Sequence, residues 1–161
     1  MKSFLSHLME SVGGNWVKPD DATIRREYEI EYRKHLVHEL KTDAFPTAES
    51  FVAAVKKAAV VEVDPAMDSR ILYRSRTRSM ERLLWLIKGY RSYPKFRNED
   101  TLNAIKDALL TGKPMDMPMV VKDEQGKMRV FAGNTRMDIA FMHGINPKVL
   151  MVRMPDGIRL S

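Results

Sequence analysis

Gly133-Asn134-Thr135-Arg136 is the stretch of this 161-residue chain whose residue types and order suit chemistry best. It follows an apolar-rich run over residues 127–132 and leads into Met137, Ala140 and Phe141 at helical spacing. A glycine after a strand lets the backbone turn tightly and brings a ligand close to the main chain. The first amides of the helix that follows have no intrahelical partner, which makes such a start an anion site. Arg136 adds a planar fork that matches a phosphate bidentately. Asn134 and Thr135 either cap the helix or donate to the same anion, and Asp138 forms an imperfect capping pair with Thr135 or orients Arg136. The turn is neither Gly-x-x-x-x-Gly-Lys-Ser/Thr nor Gly-x-Gly-x-x-Gly, and a purely structural turn is the competing account.

A second signal is charge. Lys and Arg number 27 against 21 Asp and Glu, a net +6 and a pI near 9.6. Residues 70–97 hold nine basic side chains and one acid, Glu81, so this segment carries more than the entire excess. Arginines there alternate with Tyr73, Trp85, Tyr90, Tyr93 and Phe96. Guanidinium groups neutralise phosphates and aromatic faces accept bases, so the segment predicts nucleic-acid contact through Arg74, Arg76, Arg78, Lys88, Arg91 and Lys95. A solvated basic face around a buried Trp85 is the alternative.

Arg97 adjoins this run and suits phosphate better than core. Asn98, Glu99 and Asp100 open the next helix. They read as an N-cap with two acids favoured by the helix dipole. His35 and His38, with Glu31 and Glu39, lack the spacing of a zinc-binding helix and have no evident third ligand, so no metal site is expected. His143 falls at a helix end, where the dipole favours a cation. The 12 methionines suggest an adaptable core or partner surface.

Composition removes several classes of function. With no cysteine there is no disulfide framework, thiolate nucleophile, zinc finger or iron–sulfur cluster. The longest apolar run is far short of a membrane span, so a soluble, cytoplasmic protein without membrane partners is expected. Residues 1–12 lack the pattern of a secretory signal; Phe4, Leu5, Leu8, Met9 and Val12 lie on one face of a short docking helix stopped by Gly13-Gly14.

The elements that must position these residues follow from periodicity. Ile24, Tyr28, Tyr32, Leu36 and Leu40 predict an amphipathic helix opened by Asp20 or Asp21, and Pro46-Thr47 precedes a second helix bearing Phe51, Val52 and Val55. Residues 1–60 thus form a helical extension and residues 61–161 a second unit. In that unit, residues 60–64 and 70–74 are short β-type stretches, and Ser79 caps a helix ending at Gly89. Leu102, Ile105 and Leu109 mark a helix closed by Gly112. Two strands over residues 117–122 and 127–132 flank an Asp-Glu-Gln-Gly turn, then come the helix after Arg136 and a last strand over residues 149–154.

This order of helix, Pro118-containing strand, hairpin, Gly-Asn-Thr-Arg, helix and strand resembles the ParB/sulfiredoxin superfamily, most closely over residues 97–154. The resemblance implies an α+β fold, a small mixed sheet with flanking helices, carrying the N-terminal helical extension. It also implies nucleotide phosphates on Gly133, Asn134, Thr135 and Arg136, with Arg97 and Asn98 near the nucleotide. ParB proteins usually have Gly-Glu-Arg-Arg in this place, from which Asn134 and Thr135 depart. Sulfiredoxins carry a cysteine at the position of Asn134, so their sulfinic-acid reduction is removed. The Gly-Asn-Thr-Arg variant is similar to that of ParB-like proteins from tailed bacteriophages, for which the location is the host cytoplasm.

The implied ligand is a nucleoside triphosphate, ATP or CTP, with Mg²⁺ where phosphate is transferred. As in the free-serine kinases of this fold, Glu99 or Asp100 would then hold Mg²⁺ or activate a hydroxyl. The leading expectation is a ParB-like nucleotide-binding protein that also contacts nucleic acid, either an NTPase or a phosphotransferase. Alternatives are a non-enzymatic DNA- or RNA-binding protein gripping backbone phosphate with the same turn, a ParB-like nuclease, and an inhibitor of a host protein. A homodimer or a host protein is the further partner considered.

Overall fold

The computed structural model describes residues 13–30, 44–68, 70–72 and 99–160. These form a mixed α+β structure with two small sheets and five helices.

β1 (Asn15–Val17) pairs in parallel with β4 (Pro114–Asp116), setting Trp16 beside Met115. The Trp16 indole donates to the Gly13 carbonyl at 3.1 Å. Three residues cannot show an alternating pattern in sequence, which is why neither strand was legible there. Asp20 caps α1 (Asp21–Glu27) by accepting from the Thr23 amide at 2.7 Å. Its predicted continuation to about residue 42 runs into residues 31–43, outside the described residues, as do the helices expected over residues 1–12 and 79–89.

α2 (Ala48–Lys56) opens with a reciprocal capping box between Thr47 and Ser50. Two exposed ion pairs, Arg25–Glu49 at 2.8 Å and Lys56–Asp21 at 3.0 Å, join α1 to α2, where water screens them and they add little to stability. Packing holds this pair of helices more firmly. The Tyr28 hydroxyl donates to the Phe45 carbonyl at 2.7 Å, and Phe51 receives the edge of Phe45 at 5.1 Å. On its other side Phe51 stacks on Phe131 of the sheet at 4.3 Å.

The five-stranded sheet has the order β2-β7-β5-β6-β3. β2 (Ala59–Glu62) lies antiparallel on β7 (Lys148–Arg153), which is parallel to β5 (Met119–Lys122). β5 forms the hairpin with β6 (Met128–Ala132), and the short β3 (Ile71–Leu72) is parallel to β6. α3 (Pro65–Asp68), held by the Asp64 carboxylate on the Met67 amide at 2.7 Å, connects β2 to β3.

Alternation divides two cores. Met119, Val121, Phe131, Leu150 and Val152 belong to the core that includes α2, while Val120, Val130 and Val149 join Val63, Ile71 and Met137 in the other. α4 (Glu99–Thr111) buries Leu102 and Leu109 and packs on α5 (Asn134–Met142). α5 feeds both cores, Met137 on one side and Ile139 with Ala140 on the other. The strand, turn and helix around residue 133 are therefore anchored by buried side chains on every side.

Among the described residues, no helix is long and apolar enough to cross a membrane.

Candidate phosphate site at the start of α5

Gly133 ends β6 and is the N-cap of α5, with φ 100° and ψ 19°, in the left-handed region. Its carbonyl accepts the first helical bond, from the Met137 amide at 3.0 Å. As a glycine, the N-cap residue offers no side-chain cap, and the first turn of α5 holds no acid. Gly133, and not Asn134 or Thr135, holds the N-cap position; these two are the first residues of the helix. A helix start of this kind presents amides and the positive end of the dipole to one point.

Glycine is required here for two reasons. Positive φ is one. Space is the other: a Cβ on Gly133 would meet Pro118 Cβ at 2.6 Å, Pro118 Cα at 2.8 Å and Arg136 Nη2 at 2.9 Å. Pro118, buried just ahead of β5, forms one wall of the turn, and the Arg136 guanidinium reaches back over it. A cationic fork beside the amide end of a helix is the arrangement that receives an oxyanion.

Beneath the turn the helix is polar inside. Asn134 is 2% exposed, and neither its Nδ2 nor its Oδ1 has a hydrogen-bond partner among the described residues. An orphaned buried amide of this sort costs about 1–3 kcal/mol per group, a penalty kept where a ligand or a function compensates it. Thr135 and, one turn on, the carboxyl of Asp138 are buried too. Helical periodicity gave no warning of this, because α5 has polar residues where an ordinary core-facing helix has apolar ones.

The other predicted residues divide by position. Asp100 is exposed in the first turn of α4, and of Glu99 only the backbone, as the first residue of α4, is described. Arg97, Asn98, Arg74, Arg76, Arg78, Lys88, Arg91 and Lys95 lie outside the described residues, as do Glu31, His35, His38 and Glu39. Arg70 alone represents the basic segment, exposed between α3 and β3. Among the described residues no group of three or more His, Asp or Glu is placed to hold a metal ion.

His143 closes α5 as its C-cap. Burial, and then the Lys106 ammonium, push its imidazole below the ordinary value, so desolvation outweighs the dipole expected to favour a cation. Sequence reasoning also missed Arg129, a charged residue in mid-strand on β6 that is only 8% exposed. A separate cleft of about 530 Å³ lies between α2 and residues 153–156, lined by Phe45, Ala54, Lys57 and Met154; it contains none of the predicted site residues.

No protein-family model, curated protein or solved structure matches this chain.

Proposed function

We propose that this chain is a ParB-like protein that binds a nucleoside triphosphate, ATP or CTP, by its phosphates on the turn formed by residues 133–136. The observation that carries the reading is the left-handed Gly133, which starts α5 without a side-chain cap and lies under the Arg136 guanidinium. Backbone amides, dipole and fork supply the three parts of a phosphate cradle. The order of elements around it supports the ParB/sulfiredoxin-like reading of the fold.

Nucleic acid is the second partner in this proposal, held by the basic segment at residues 70–97. Where the bound nucleotide reacts, the oxygen of water or a hydroxyl would bond to the terminal phosphorus as its bond to the β,γ-bridging oxygen breaks and a nucleoside diphosphate leaves; Glu99 or Asp100 would take the attacking group's proton or hold Mg²⁺. The segment's charge by itself favours a second reading, a non-enzymatic DNA- or RNA-binding protein whose turn grips a backbone phosphate.

Thermal unfolding with ATP, CTP, GTP or ADP and Mg²⁺ tests the nucleotide reading. A nucleotide at about a hundred times its dissociation constant adds about 2.7 kcal/mol of stability. Arg136→Ala, with its fold intact, should abolish that shift. Absence of a shift with every nucleotide refutes nucleotide binding.

A further inference from the structure

We infer that Asn134 determines what kind of phosphate ligand the α5 turn accepts: one that carries a hydroxyl or N–H donor next to its phosphate, and not a bare polyphosphate. This rests on the phosphate reading of the turn and adds a requirement to it. The basis is the Asn134 carboxamide, buried at 2% exposure with both polar atoms lacking partners among the described residues.

Asn134 is the first residue of α5, directly after Gly133, and Cα–Cβ bonds in a helix lean toward its N-terminus, which inclines its side chain toward the amide end of α5. Its two polar atoms make opposite demands. Nδ2 donates and is matched by a phosphate oxygen; Oδ1 only accepts and needs a donor. Ionised phosphate oxygens are all acceptors, so a bare polyphosphate satisfies Nδ2 and leaves Oδ1 facing negative charge. A phosphate ester with a neighbouring hydroxyl or N–H satisfies both atoms at once. In a nucleotide, the ribose hydroxyls and the base edge supply that donor. Both amide atoms are enclosed in the free protein, so ligand entry must displace what covers them.

The test is calorimetric titration of the full chain with sodium tripolyphosphate and with ATP, CTP, GTP and UTP. Each titration is run with and without Mg²⁺, whose bound water is itself a donor. At least one nucleotide is expected to bind about tenfold or more tighter than tripolyphosphate, as sites with buried polar groups reject analogues that leave them unpaired. Asn134→Leu, similar in volume but without polar atoms, should shrink that ratio to about threefold or less while tripolyphosphate still binds. Asn134→Asp, an acceptor with a negative charge, should weaken both ligands.

Equal affinity of the unaltered protein for tripolyphosphate and all four nucleotides overturns the inference and leaves the phosphate reading standing. So does a leucine variant that keeps the original ratio. If neither tripolyphosphate nor any nucleotide binds, the phosphate reading itself fails and the inference with it. Where circular dichroism finds the leucine variant unfolded, Asn134→Ala takes its place with the same expected ratio, and a folded alanine variant that keeps the original ratio overturns the inference.

Discussion

A side chain on Gly133 would begin 2.6 Å from Cβ of Pro118, so the entry to α5 and the residue ahead of β5 interlock through the absence of one methyl group. Gly133→Ala therefore incurs both a left-handed backbone penalty and an overlap with a rigid ring. Together these come to about 2–5 kcal/mol. Gly126 and Gly144 share the positive φ, at 85° and 68°, but a Cβ on either meets nothing within 4 Å. Alanine at those two positions should cost only the backbone part, about 1–2 kcal/mol. Urea unfolding of the three variants checks this, and similar losses in all three would show that Pro118 does not confine the turn. The same methyl would press on Arg136 Nη2, so Gly133→Ala should also weaken phosphate binding in whatever fraction stays folded.

The C-terminal residues are fastened by a carboxylate. Asp123, buried in the β5–β6 turn, accepts from the Gln125 and Lys127 amides through Oδ1 and from the Leu160 amide through Oδ2, at 2.9–3.0 Å. Burial by itself raises its pKa, but the three amides and the Lys127 charge outweigh that and hold the carboxyl below its ordinary value. Since the folded value is depressed, the stabilisation is complete above the unfolded value of about 3.9 and is lost as pH falls through the folded value. Leu160 is buried and Ile158 packs on the same core, so protonation should release both. Asp123→Asn cannot match all three donors and should lose about 1–3 kcal/mol near neutral pH. It should also flatten the acid limb of the stability curve. Amide exchange at Leu160 that is insensitive both to acid and to this substitution would contradict the account.

How far the sequence discloses this arrangement depends on element length and on what a pattern can encode. α2 was legible from Thr47 and the spacing of Phe51, Val52 and Val55, and the β5–β6 hairpin from its Asp-Glu-Gln-Gly turn, because caps and alternation are local signals. That Phe51 would stack on Phe131, eighty positions later, is a tertiary fact with no local trace. β1 and β4 are three residues each and exist because they pair with each other. At the start of α5, the tight turn at Gly133 could be read in advance, because glycine is the residue type that suits such a backbone. The burial of Asn134 could not, because an asparagine at a helix start ordinarily caps, and only the fold shows Gly133 already doing so.

The concentration of charge in residues 70–97 makes a prediction about salt. If Arg74, Arg76 and Arg78 each neutralise a duplex phosphate, the logarithm of the binding constant falls with the logarithm of salt concentration at a slope of about −0.9 per contact. Replacing all three with alanine should then make the slope shallower by about 2.7 and weaken binding to every sequence alike, because phosphate contacts carry no base information. Fluorescence anisotropy with labelled duplexes at several salt concentrations measures both effects. An unchanged slope would remove these arginines from the interface, whereas a loss confined to one sequence would mean that they read bases. The arms also separate the two proposed partners: Arg136→Ala should abolish the nucleotide-induced thermal shift with little change in this slope if the α5 turn holds a nucleotide. It should instead reduce the slope by about one if that turn grips the nucleic-acid backbone.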